Sequence, residues 1–425
     1  MLAITNARIY TMAGPVIEKG TVLIDKGKVT EVGAGVDIPS KAEVVDLGGN
    51  TLTPGFIEAH SHLVAHDWIT AGSALDSGSG GQGGLGPAAT ADIDYYYNFN
   101  PHHRHLEDAR IAGVTTALIR PGSGKVINGI GFVAKTYGKT RGEMILKRPD
   151  GIKLALGENP KRNFGGQGKI PSTRMGSAAV LRDALAKAQN YRAAWERYQA
   201  KKREYLEALD DCNGEEAVKA AKAPKLPATD RGLELLVRML DGELPARVHA
   251  HRADDIMTAL RIADEFGFRV TIEHATEGHK IANEIAARDV PCIVGPSFTS
   301  RGKVELRNRT FATAGILERA GVKVAITTDA GVVFIGYLRT CASLAYRHGL
   351  SEDGALKGIT LAAAEIIGVG HRVGSIEPGK DADFAVLDGH PLELTTRVIK
   401  TYIDGKEVYD AATYQEPWER QGYTT

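Results

Sequence analysis

Apolar and polar positions along the chain fall into two textures. From residue 1 to about 52, short runs rich in β-branched residues (Leu2-Ala-Ile, Ala7-Arg-Ile-Tyr, Gly20-Thr-Val-Leu-Ile-Asp, Lys28-Val-Thr-Glu-Val and Glu43-Val-Val-Asp-Leu) are broken by Gly or Pro, the pattern of brief strands joined by turns. The texture returns in Asp383-Phe-Ala-Val-Leu and in the run from Val398 to Tyr409. The two ends are therefore expected to pair into one β unit, residues 1–52 with 371–425, and the middle to be an insertion.

Residues 53–370 alternate short apolar runs with helical segments, as in a parallel α/β domain. Candidate strands lie at 55–59, 114–119, 131–135, 152–156, 247–250, 269–273, 291–294 and 323–327. Eight such strands suggest a closed (β/α)8 barrel, whose active site lies at the C-terminal strand ends. Ligand-type side chains stand where these apolar runs stop: His60 and His62 after the first, His249 after the fifth, His274 after the sixth and Asp329 after the eighth. In an extended chain residues i and i+2 point the same way, so His60 and His62 form a two-toothed clamp for a metal ion.

Two stretches depart from a minimal barrel. The run from Gly72 to Gly86 is too rich in glycine for regular structure and is expected to be a loop covering the site, with no phosphate-cradle ending. An insertion at about 175–242 carries Leu181, Leu185, Ala188, Tyr191, Trp195, Tyr198, Tyr205 and Leu209 near helical spacing. That stripe is expected to pack, on the barrel or between subunits of a homo-oligomer.

Composition narrows the setting. The chain of 425 residues is 43% hydrophobic, enough for a large core, and its 52 Lys and Arg balance 52 Asp and Glu. No global field favours nucleic acid or a membrane surface, and a small-molecule substrate is expected. The three cysteines are widely spaced with no C-x-x-C pair, so neither a disulfide framework nor a cysteine metal site is indicated, and a reducing cytoplasm fits. The start lacks an export signal, and no apolar stretch reaches about 18 residues.

Several motifs together resemble the amidohydrolase superfamily: the opening strands, Thr53-Pro-Gly-Phe-Ile-Glu-Ala-His-Ser-His, the barrel histidines, the Asp of Thr327-Thr-Asp-Ala, and Val373 to Leu387. Lys153 to Arg162, Pro171 to Gly176 and Arg247 to Ile256 are similar to its imidazolonepropionase-related branch. The resemblance implies a (β/α)8 barrel with a small β-sandwich built from both termini, and one or two divalent metals per chain, usually zinc. Imidazole and carboxylate ligands also suit manganese and iron. It further implies that His60, His62 and Asp329 bind the more buried metal, while His274 and His249 serve the second. His251 then contacts substrate or supports the ligands.

A two-metal site also needs a bridging anion, and two residues qualify. Lys153 lies inside an apolar strand, where an ammonium is costly unless deprotonated, as carboxylation by carbon dioxide requires; otherwise it is an inward lysine paired with an acid. Glu158 stands at the strand end, where its carboxylate bridges without modification if Gly157 permits a kink. Arg301 and Lys303, after the seventh strand, are candidate contacts for a substrate carboxylate. The chemistry expected is C–N bond hydrolysis by a metal-activated hydroxide, with Asp329 as general base and acid. Its substrate would be a small cyclic amide, a dipeptide-like molecule or an N-acyl amino acid. A mononuclear deaminase or imidazolonepropionase-like enzyme and a catalytically silent scaffold are the competing readings.

Overall fold

The computed structural model describes residues 1–64, 87–210 and 223–415. The glycine-rich run from Gly72 to Gly86 and Cys212 lie outside the described residues. The chain opens with β1 (Leu2–Ile9), β2 (Ile17–Asp25), β3 (Lys28–Gly33), β4 (Glu43–Asp46) and β5 (Thr51–Pro54). The central strands are β6 (Phe56–Ser61), β7 (Val114–Ile119), β8 (Ile127–Ile130), β9 (Phe132–Lys135), β10 (Ile145–Lys147), β11 (Ile152–Ala155), β12 (Ala246–Ala250), β13 (Val270–His274), β14 (Cys292–Val294) and β15 (Val324–Ile326). It closes with β16 (Phe384–Leu387), β17 (Val398–Ile403) and β18 (Lys406–Asp410).

The first and last strands share a sheet. β16 runs antiparallel to β5, which itself pairs with β1. Hydrogen bonding joins the terminal strands into one eight-stranded sheet. Alternate apolar residues of these strands, including Ile4, Val22, Leu52, Phe384 and Tyr402, enclose a core of their own.

The central strands form a sheet of four (β10-β9-β7-β6) and a sheet of six (β15-β14-β13-β12-β11-β8), a mixed α/β arrangement. From β11 to β15 all neighbours are parallel. The third expected strand, 131–135, is the correction: β9 runs antiparallel to β7, and β8 antiparallel to β11. Only the short glycine-bearing segment from Arg120 to Val126 separates β7 from β8. A parallel return needs about a dozen connecting residues or more, so the strand comes back antiparallel.

Both sheets meet in a shared core of Ile57, Ala59, Leu118, Val133, Ile293 and Ala325, packed with residues of the helix Leu361–Ile367. A bridge between Ser61 and Ala330 links their edges. Glu58, fully buried, accepts from the Thr328 amide at 3.0 Å, the His60 amide at 3.2 Å and the hydroxyls of Thr327 and Thr328. β6 and β15 are thereby tied beside the first histidine pair.

The insertion is helical: Arg174–Asp210 packs against a second helix, Arg231–Leu240. Leu181, Leu185 and Ala188 are buried, whereas Tyr191, Trp195 and Tyr198 are half-buried. Among the described residues no helix is long and apolar enough to cross a membrane. Cys292 and Cys341 are buried as free thiols, and burial pushes each up to about 12.

Candidate metal centre

Strand alternation builds the floor of the site. On β11, Leu154 packs in the main core while Lys153 and Ala155 take the other face; on β12, Val248 packs outward while Arg247 and His249 face inward; on β13, Ile272 packs outward and Glu273 inward. His274 is out of phase with Glu273, and its backbone turns into the left-handed region at φ 72°. Asp329, just past β15, does the same at φ 53°. Asp tolerates that region better than most side chains; for both residues it redirects the chain where the ligand-type groups gather.

Those groups converge. Asp329 Oδ1 lies 3.3 Å from His60 Nε2 and 3.4 Å from His62 Nε2, and Asp329 Oδ2 lies 3.9 Å from His274 Nδ1. His60, His274 and Asp329 form one group of ligand atoms within 4.8 Å of one another, and His249, His251 and His274 form another. His62 Nδ1 pairs with Arg120 O at 2.9 Å, His274 Nδ1 with Gly295 O at 2.8 Å, and His251 Nδ1 with Thr276 Oγ1 at 2.7 Å. A ring whose Nδ1 is held in this way presents Nε2 in a fixed direction, as metal-binding histidines do.

Beneath them runs a buried charge network. Glu273 Oε2 is 3.0 Å from His60 Nδ1 and 2.5 Å from Lys153 Nζ, while Arg120 joins Glu273 Oε1 to Asp150. Burial alone would raise the Glu273 carboxyl, but Arg120, His60 and Lys153 hold it well below the usual range. Burial lowers Lys153 to about 8 despite the attraction of Glu273. Burial pulls His62 and His274 down to about 3 and His249 and His251 well below their ordinary value, so the rings stay neutral, the form a metal requires. For Asp329, burial is outweighed by His60, His274 and His62, and the carboxylate stays ionised.

The donor set fits a divalent cation. His274 Nε2 and Asp329 Oδ1 are buried without a hydrogen-bond partner among the described residues. Buried polar atoms are otherwise almost always satisfied, and here several would-be ligands point at a common space.

Above the floor opens a cavity of about 220 Å³, whose lining includes His62, His249, His251 and Asp329 together with Asn159 and Lys303. Lys303 Nζ donates to Asn159 Oδ1 at 3.0 Å, and Asn159 Nδ2 to Ser123 Oγ at 2.9 Å. Arg301 is exposed and does not line this cavity; its Nη2 reaches Arg309 O at 3.5 Å. Glu158 follows a kink at Gly157, φ 94°, but starts the helix Glu158–Gly165; like Glu305, it belongs to neither ligand group. Glu58, Glu273 and Glu305 received no role from the sequence. An acid inside an apolar run was the available signal for the first two; Glu305, in a loop, carried none.

A family model described as "Amidohydrolase family" matches residues 51–408. An imidazolonepropionase of Rhizorhabdus wittichii is 27% identical over 417 residues, covering 92% of this chain and 95% of that protein. Amidohydrolase tasK of Hapsidospora irregularis is 27% identical over 410 residues, 92% of this chain, which spans only 40% of that protein's length. Among solved structures, an amidohydrolase from Thermotoga maritima is 38% identical with a TM-score of 0.86, over 96% of this chain and 100% of that one.

Proposed function

The chain belongs to the amidohydrolase family of hydrolases acting on C–N bonds, and from that premise we propose that it is a metal-dependent amide hydrolase of small substrates: cyclic amides, dipeptide-like molecules or N-acyl amino acids. In this reading the four- and six-stranded sheets are arcs of a (β/α)8 barrel. Residues 1–52 and 371–425 form a composite β-sandwich domain. The observation that carries it is the convergence of His60, His274 and Asp329 on one space, each with a buried ligand atom lacking a hydrogen-bond partner among the described residues, with His62 Nε2 3.4 Å from Asp329 Oδ1.

His60, His62 and Asp329 would hold the deeper ion, and His249 with His274 a second. Such an ion, zinc or a chemically similar divalent metal, supplies Lewis acidity toward a carbonyl oxygen and makes water acidic enough to attack near neutral pH. Asp329, kept ionised among three imidazoles, takes the proton of the attacking water and returns it to the leaving nitrogen. His62 and His251 wall the reacting end of the cavity. Lys303, steadied by Asn159 in the same lining, offers a cation to a substrate carboxylate.

A one-metal, deaminase-like or imidazolonepropionase-like course is the second reading, and the Lys153–Glu273 ion pair favours it. A carboxylate 2.5 Å from the amine stabilises its charged form and so competes with the uptake of carbon dioxide that a bridging carbamate needs.

The test is metal content by elemental mass spectrometry on protein purified without chelators, with turnover over a panel of the three amide classes and of aromatic amines that deaminases accept. Asp329→Asn should lower turnover by about 10²-fold or more. Absence of bound metal after reconstitution with zinc or manganese, together with inactivity on every class, would remove the proposal.

A further inference from the structure

Glu305 is a buried carboxylate without a role in the reaction above. It sits in the 3-10 turn Val304–Leu306, after β14, and is 1% exposed. Its Oε2 accepts the Glu158 amide at 2.9 Å, which fixes the carboxyl plane. Gly157 makes that approach possible, since a Cβ there would lie 2.8 Å from Glu305 Oε2. The other oxygen, Oε1, is buried and has no hydrogen-bond partner among the described residues. It faces His251 Nε2 at 3.6 Å and His249 Nε2 at 3.9 Å, too far for hydrogen bonds, and His249 Nε2 is contacted by Asn159 Nδ2 at 3.3 Å, an amide that an ion would displace. Lys303 Nζ is 4.0 Å away and is engaged by Asn159.

An orphaned carboxylate oxygen opposite two imidazole nitrogens is the spacing left when an ion is the missing partner. Ligands at about 2.0–2.2 Å from a common zinc stand roughly 3 to 4 Å from one another. His251 Nδ1 is already engaged by Thr276, and His274 Nε2, unpartnered, belongs to the same group of ligand atoms.

We propose that Glu305 is a ligand of the second divalent cation, held together with His249, His251 and His274, so that the loop after β14 supplies the anion otherwise sought at Lys153 or Glu158. This rests on the metal-dependent reading above. It also makes His251 a ligand in its own right.

The experiment uses the full-length chain, stripped of metal and titrated with zinc against a chromophoric chelator, for wild type, Glu305→Gln and Glu305→Asp. Wild type should bind about two ions; Glu305→Gln should retain one with affinity within about threefold of the tighter wild-type site; Glu305→Asp should keep both with the weaker one further weakened. A Glu305→Gln chain with wild-type melting and unchanged stoichiometry overturns the inference. Should that variant not fold, His251→Gln must lose the same ion, and its retention overturns the inference equally. Wild type binding a single ion, unaffected by Glu305→Gln, removes the second site but leaves metal-dependent hydrolysis standing. Wild type binding none removes both.

Discussion

Glu273 Oε2 stands 3.0 Å from His60 Nδ1, and both side chains are fully buried. The carboxylate orients the imidazole so that Nε2 faces Asp329, and it is itself held by Arg120 and Lys153. A ring that must present one nitrogen to an ion is fixed by what the other nitrogen touches.

Replacing that carboxylate separates two effects. Glu273→Gln keeps the shape but strands Arg120 and Lys153 without their shared anion. The loss of stability should be about 3–5 kcal/mol, as for breaking a buried ion pair. Zinc affinity should fall about 10–100-fold, as for other groups supporting metal ligands. Urea unfolding measures the first and chelator competition the second. Unchanged zinc affinity would mean that His60 holds its orientation without Glu273.

Acid should destabilise the metal-free chain earlier than carboxylate titration alone would. His62 and His274 are held at about 3 by burial, against 6.5 for an ordinary histidine. Between those values the unfolded chain binds more protons than the folded one, so stability is full above 6.5 and drains away as pH falls toward 3. Unfolding midpoints of chelator-treated protein, taken from pH 7.5 down to 4.5, should decline steadily. His274→Gln should flatten that decline, and an equal slope in the variant would refute the assignment.

Gly157 occupies a conformation that side chains rarely adopt, φ 94°, and a Cβ there would meet Glu305 Oε2 at 2.8 Å and Asp255 Oδ2 at 3.1 Å. Gly157→Ala should therefore cost about 1–3 kcal/mol. It should also push Glu305 away from the histidine pair, weakening zinc binding at the weaker site while sparing the tighter one. Thermal melting and the zinc titration read the two parts.

Glu58 collects two amides and two hydroxyls from His60, Thr327 and Thr328. Glu58→Ala leaves these donors buried and unmatched at about 1–3 kcal/mol for each group not rescued by water. The variant should be among the least stable single substitutions of the site. Amide exchange at Thr328 should accelerate with it.

The residues that converge in the site were legible where strand ends could be read. His60 and His62 share a spacing of two, and His249, His274 and Asp329 each terminate an apolar run. The pairing of the two ends was legible in their shared β-branched texture. The antiparallel course of residues 127–135 was hidden, because apolar alternation is the same in either strand direction; only the shortness of the link after Ile119 betrays it. Glu305 was invisible for another reason. Its carboxylate packs against Gly157, distant in sequence and close in space, and no local pattern marks a loop acid seated against a far-off glycine. Arg301 and Lys303 lie two positions apart in one loop, yet only Lys303 lines the cavity, since loop direction follows no period.

The bond from Thr327 to Glu58 spans 269 positions of chain. On a ribosome adding about 5–20 residues each second, the early histidines wait roughly a quarter of a minute to a minute for their partners. Under the proposed ligand set, a cation met during that interval would find two imidazoles but not the carboxylate of Asp329, which follows β15. Synthesis interrupted before residue 329 would leave a chain without the anion of the proposed deeper site, so that site would be completed only late in translation.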